Sequence, residues 1–181
     1  MLRGISRRFA PERRGLAAVE VGVASVAIVL AALNVADVGR FAYQSAVVTA
    51  AAQAGAQAAK DACNIDHIPA TLDCRSLYGA VTNAVQSSPL GAQVTLRGPI
   101  TEGYYCMTMS RGLAAVGELE DGRPEDCSAV PAVAGATPTL YLQVRVITPF
   151  SPLFRGLTVA NAFSDHIART VWIRMEESPG A

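Results

Sequence analysis

The chain has 181 residues, with Lys+Arg and Asp+Glu both at 15 and only 17% of residues charged, so it lacks the basic excess that a nucleic-acid binder carries to phosphate. Hydrophobic residues make up 51% although aromatics are only 6%. A mean hydropathy of +0.28 excludes a disordered chain, which would be polar and strongly charged, and points to a segment that meets lipid.

Charge is uneven along the chain. Residues 1–14 hold Arg3, Arg7, Arg8, Arg13 and Arg14 against Glu12 alone, and the remainder is correspondingly acidic. The 18 residues Leu16–Leu33, LAAVEVGVASVAIVLAAL, then contain one charge, Glu20. At about 1.5 Å per residue they reach about 27 Å, close to the thickness of a bilayer core. With Asn34, Val35 and Ala36 the span is complete (16–36), and Asp37 and Arg40 mark its far interface. Arginines before a span stay in the cytoplasm, which sets residues 1–14 inside and everything after about residue 37 outside. The run is too long for the core of a conventional secretory signal, and Asn34-Val35-Ala36-Asp37 is a poor cleavage site.

Nothing breaks the helix after the span. Residues 38–62 contain no Pro and are rich in Ala, the best helix former. One continuous helix is expected from about Leu16 to Ala62, with residues 37–62 as a helical extension. Phe41, Ala42, Ala46, Val48, Ala52, Ala56 and Ala59 give it a small-residue stripe, interrupted by Gln44, Thr49, Gln53, Gln57 and Lys60. Such a surface packs closely against other helices.

Residues 63–181 read as an outer domain. A helix is expected from Pro69 or Thr71 to about Ser87, its apolar face formed by Leu72, Leu77, Val81 and Val85. Short strands follow at 93–97 and 103–109, the second with Tyr104, Cys106 and Thr108 on one face. Residues 111–138, with Gly112, Gly117, Gly122, Pro124, Pro131, Gly135 and Pro138, read as irregular. Leu140–Ile147 alternates clearly, with Leu140, Leu142, Val144 and Val146 facing one way. A turn at 148–153 leads to a last strand within Ala162–Met175. The expected fold class is α+β: a long N-terminal helix, then a small antiparallel sheet with one helix.

Cys63, Cys74, Cys106 and Cys127 are an even set in a segment placed outside the cytoplasm, which favours disulfides. Three pairings are possible. Neighbour pairing, Cys63–Cys74 and Cys106–Cys127, closes the smallest loops, each contributing about 3 kcal/mol in the chain-entropy picture. Their spacing fits no zinc pattern.

No catalytic constellation is expected. Ser164-Asp165-His166 has the residue types of a triad, but strand neighbours point to opposite faces and no Gly-x-Ser-x-Gly elbow exists. His67 stands in an unlike context. Glu118, Glu120, Asp121, Glu125 and Asp126 lack the ordered ligand spacing of a calcium loop. No phosphate-binding glycine loop is present. No metal or cofactor is called for.

The most specific stretch is Arg13-Arg14-Gly15-Leu16-Ala17-Ala18-Val19-Glu20. A carboxylate in the first turns of a membrane helix is unfavourable unless it is compensated. If the chain is cut between Gly15 and Leu16, the new α-amino group of Leu16 is a cation one helical turn from Glu20.

A short basic leader ending in Gly, followed by an apolar helix with Glu at its fifth position, resembles type IV prepilins and pseudopilins. The version R-R-G-x-A-A-V-E is similar to the TadE-like family of the tight-adherence (Tad/Flp) pilus system. Asp37-Val38-Gly39-Arg40 with the Ala-rich extension, and Pro149-Phe150-Ser151-Pro152-Leu153 before a closing strand that ends Arg174-Met175-Glu176, resemble it too. Bulky Leu and Phe are commoner in the span of that family, and Phe is usual where Val21 stands. The resemblance implies a minor pilin or pseudopilin in the bacterial cytoplasmic membrane. It would be cut between Gly15 and Leu16 by a prepilin peptidase and would use Glu20 in assembly. Its partners would be other pilin subunits, met through the N-terminal helix, the Tad inner-membrane platform and membrane lipid. It would be no enzyme. The alternative is a single-pass anchored extracytoplasmic binding domain unrelated to pili.

Overall fold

The computed structural model describes residues 13–63 and 69–175, and of residues 13–18 only the backbone. His67 and Glu176 lie outside the described residues. The chain divides into two compact units: residues up to Phe41 with Pro152–Phe163, and Ala42–Ser151 with the residues from Ser164 onward. Helix α1, Arg13–Ala62, contributes to both.

In the second unit, α1 is followed by α2 (Ala70–Asp73), α3 (Leu77–Gln86), β1 (Thr95–Leu96), β2 (Thr101–Met107), β3 (Leu113–Gly117), β4 (Thr139–Pro149) and β5 (His166–Arg174). All pairings are antiparallel. β4 is the hub. β5 pairs with it from Tyr141↔Arg174 to Pro149↔His166. Its other edge is shared by β2, from Thr101↔Gln143 to Tyr105↔Thr139, and β1, at Thr95↔Ile147 and Leu96↔Val146. β3 adds to the outer edge of β2. The α+β class is therefore observed, with an antiparallel sheet and helices.

The alternation of β4 decides where the core lies. Leu140, Leu142, Val144 and Val146 are fully buried, as expected of one face of a half-covered sheet. α1 supplies a complementary face of small residues, with Val48, Ala51, Ala52, Ala56 and Ala59 all buried. Gly55 lies in the same stripe, where a Cβ would come 2.8 Å from Val85 Cγ2, 3.3 Å from Val81 Cγ1 and 3.7 Å from Val144 Cγ1. The extension is thus the inner layer on which α3 and β4 close. Its stripe is rotated from the expected one. Gln44 is buried whereas Ala42 and Ala46 are exposed, because a 3.6-residue period through 48, 52, 55 and 59 takes in 44 and leaves out 42 and 46. Arg169 of β5 adds a polar tie, its guanidinium donating to Ser45 Oγ and, at 3.3 Å, to Thr49 Oγ1.

Three further differences from the sequence reading have local causes. The single helix expected over 69–87 is two, because Cys74 takes an extended conformation after α2 (φ −102°, ψ 95°) and is bonded to Cys63 at the end of α1, Cα atoms 5.7 Å apart. Leu72, expected on the apolar face, is consequently exposed. A strand, β3, runs through the start of the stretch expected to be irregular. Its Gly117 allows the ring of Pro124 close against the backbone, since a Cβ there would be 2.7 Å from Pro124 Cγ. In β2 a register shift between Tyr104 and Tyr105 breaks the period of two, so Gly103 and Cys106 are the buried positions. Cys106 is bonded to Cys127 in the loop after β3, Cα atoms 5.9 Å apart.

Gly55 and Gly79 make opposite predictions. Gly55→Leu overpacks the junction and is expected to lower unfolding free energy by about 1–3 kcal/mol. Gly79 lies in α3 with open space around a Cβ, and Gly79→Ala is expected to raise it by about 0.5–1 kcal/mol. Denaturant titration of the full chain in detergent measures both.

Candidate functional site: the apolar helix and the Asp37 carboxylate

The first part of α1 presents its apolar side chains outward. Val19, Val21, Val23, Val26, Ile28 and Val29 are all exposed, and no part of the most apolar 18-residue window is buried. By length and composition this helix is able to cross a membrane. Its few polar groups are satisfied on the helix itself, as lipid requires. Ser25 Oγ donates to Gly22 O at 2.8 Å, and Asn34 Nδ2 donates to Leu30 O at 2.8 Å. Glu20 is the exception. It is exposed on the helix, and no side chain among the described residues partners it. The Gly15–Leu16 peptide lies within α1, which begins at Arg13.

At the end of the apolar run stands Asp37, whose side chain is completely buried. Three donors meet it, all from the segment 152–163. Leu153 N donates to Oδ1 at 2.8 Å, Phe154 N to Oδ2 at 3.3 Å, and Thr158 Oγ1 to Oδ2 at 2.7 Å. One turn earlier, Asn34 Oδ1 accepts from Val159 N at 2.9 Å. The rings of Phe41 and Phe163 close the far side, centroids 4.6 Å apart. Burial alone would raise the Asp37 pKa, but the hydrogen bonds from Thr158, Leu153 and Phe154, with the positive charge of Arg40, outweigh it. The carboxyl is held below its ordinary value. In the sequence Asp37 stands out only as the end of the span. Its partners are 116 to 121 residues away, and no local pattern connects them.

The remaining sequence candidates are dispersed. The cysteines staple two separate places in the sheet unit, and none is free. Asp165 and His166 do touch, Oδ1 to Nδ1 at 2.6 Å. This departs from the expectation of opposite faces, because Asp165 sits in the bend before β5 and escapes the alternation. Ser164 Oγ approaches the same Nδ1 at 3.4 Å. A relay needs the acid and the nucleophile on different ring nitrogens, so this cluster is not a triad. Asp126 is held below its ordinary pKa by the hydroxyl and backbone N–H of Ser128, the signature of a turn. Among the described residues no three His, Cys, Asp or Glu side chains converge as metal ligands. Two open depressions on the sheet, of about 330 and 380 Å3, are lined by residues that include Tyr105, Tyr141 and Arg174, and Arg97, Arg145 and Trp172; neither lining contains a histidine, cysteine or carboxylate. No protein family, curated protein or solved structure matches the chain.

The Asp37 contacts predict a pH response of definite sign. A carboxyl with a lowered folded-state pKa contributes fully above its ordinary range and loses that contribution as pH falls through the lower folded value. Hydrogen-exchange protection factors of the Leu153 and Phe154 amides should therefore be flat above about pH 5, where an ordinary Asp is already ionised, and should fall only in stronger acid. Asp37→Asn keeps the size but loses the charge and one acceptor, and should reduce both protection factors about tenfold at neutral pH.

Proposed function

We propose that the chain is a structural subunit of the pilin or pseudopilin class, similar to TadE-like minor pilins, that works in the biogenesis of a Tad-type pilus and in adherence. The observation that carries this reading is the junction Arg13-Arg14-Gly15-Leu16 with Glu20, at the head of a helix whose apolar side chains are exposed. Residues 1–14 stay in the cytoplasm and the sheet unit lies outside. A prepilin peptidase cuts between Gly15 and Leu16. The subunit performs no catalysis and takes no cofactor. Its partners are other pilin subunits, the peptidase, the Tad platform and lipid.

Glu20 has a defined part in this reading. An uncompensated acid on an apolar helix is unfavourable in lipid. The α-amino group freed on Leu16 of a neighbouring subunit supplies the counter-charge in a poorly screened setting, where a charge pair is stronger than at a wet surface. The apolar face and the acid are thereby satisfied together when helices bundle.

Processing is read by mass spectrometry of the membrane-extracted protein from cells that contain the peptidase. The expected mature chain begins at Leu16, and an intact leader under those conditions would refute the reading. For Glu20→Ala, normal protein level and normal cleavage are expected, with loss of surface pili in sheared fractions. Glu20→Asp should be intermediate, because its shorter arm reaches less far. Wild-type piliation by Glu20→Ala, in a strain that requires the protein for piliation, would remove the assembly role.

A further inference from the structure

The segment 152–163 is built the opposite way from a loop that faces water. Three of its backbone N–H groups and the Thr158 hydroxyl point inward. Leu153 N, Phe154 N and the Thr158 hydroxyl bind Asp37, and Val159 N binds Asn34. Asn161 clasps the turn from within, accepting from Gly156 N at 3.1 Å and donating to Thr158 O at 2.6 Å. Gly156, at φ +80°, permits that turn. Ala160 is buried, so this face of the loop is anchored by packing as well. Beside Arg155 and Asn161, three large apolar side chains are left outside: Leu153 at 59%, Leu157 at 58% and Val159 at 62% exposure. Surface loops normally expose polar side chains and hide such residues.

The height of this patch on α1 is fixed. Asn34 and Asp37 are the first polar groups after the apolar run 16–33, and a run of that length crosses about 27 Å of a hydrocarbon core about 30 Å thick. Residues 34–38 therefore reach the boundary between hydrocarbon and headgroups. At the same level Val35 and Val38 of α1 are also exposed, so the patch continues the apolar surface of the span. The loop has one ionisable side chain, Arg155.

We propose that the segment Pro152–Phe163 is a second membrane-contact element, in which Leu153, Leu157 and Val159 enter the bilayer interface at the C-terminal end of the span. The occupant of the patch is lipid. Asp37 and Asn34 set the depth, holding the loop at the interface and taking its backbone N–H groups out of contact with hydrocarbon, where they would be unsatisfied. The proposal rests on the membrane-anchoring reading of α1 and is independent of the pilin reading.

Leu157→Cys and Val159→Cys, each labelled with an environment-sensitive fluorophore, test this in the full chain. It is reconstituted into phosphatidylcholine–phosphatidylglycerol vesicles. The native cysteines are all paired, so the added thiol takes the label. Val29→Cys in the span is the reference for anchoring. The expected result is blue-shifted emission at 157 and 159, strong quenching by a lipid-borne nitroxide, and weak quenching by aqueous iodide. Combining either label with Asp37→Ala should raise iodide quenching several-fold, because the released loop no longer holds its depth. If the Val29 label is quenched from lipid while the 157 and 159 labels respond only to iodide, the anchor stands and the proposal is overturned; the patch then faces water or a protein partner. If the Val29 label also fails to respond to lipid, the anchoring reading falls and the proposal with it.

Discussion

A carboxylate taken out of water has to be met by donors, and Asp37 is met by three that arrive from a loop 116 to 121 residues later in the chain. Burying that charge without them would be strongly unfavourable. The same bonds satisfy two backbone N–H groups of the loop, which would otherwise need water close to the end of an apolar span. Each side of the contact therefore solves a problem for the other. With the loop held by Asp37 and Asn34, Phe163 packs on Phe41 while Leu153, Leu157 and Val159 remain exposed.

The sheet unit depends on close approach. An Ala- and Gly-rich helix has little side-chain volume to bury, so it contributes to a core only where partners come near its backbone. Gly55 marks that place, with Val81, Val85 and Val144 all within 4 Å of where a Cβ would stand. Val and Leu on β4 and α3 fill the space that the alanines leave. Disulfides then fix the two places where the elements are too short to hold themselves, the connection from α1 through α2 and the loop that returns after β3.

β4 was the most legible element, because strict alternation of Leu and Val with polar residues has a single reading and its buried face is Leu140, Leu142, Val144 and Val146. α1 was equally plain from its lack of Pro and its composition. The stripe on its extension was less so. When nearly every residue is Ala, hydrophobic contrast no longer marks a face, and only packing selects Gln44 over Ala42. β3 was hidden because LAAVG, set among glycines and prolines, carries too weak a pattern to outweigh its surroundings. Asp37 was visible as a boundary but not as a site. A carboxylate's partners are unreadable when they are backbone N–H groups, which every residue but proline possesses.

The exposed apolar face of α1 and a Glu20 that no side chain among the described residues partners have the same explanation if the helix serves first in lipid and then among other helices. A photoreactive residue at Val23, itself exposed on that face, distinguishes the two surroundings in cells that make filaments. Crosslinks to the N-terminal helix of another pilin subunit are expected from the sheared filament fraction, and lipid adducts from the membrane fraction. Lipid adducts alone, with the chain absent from filaments that are nonetheless assembled, would contradict that explanation.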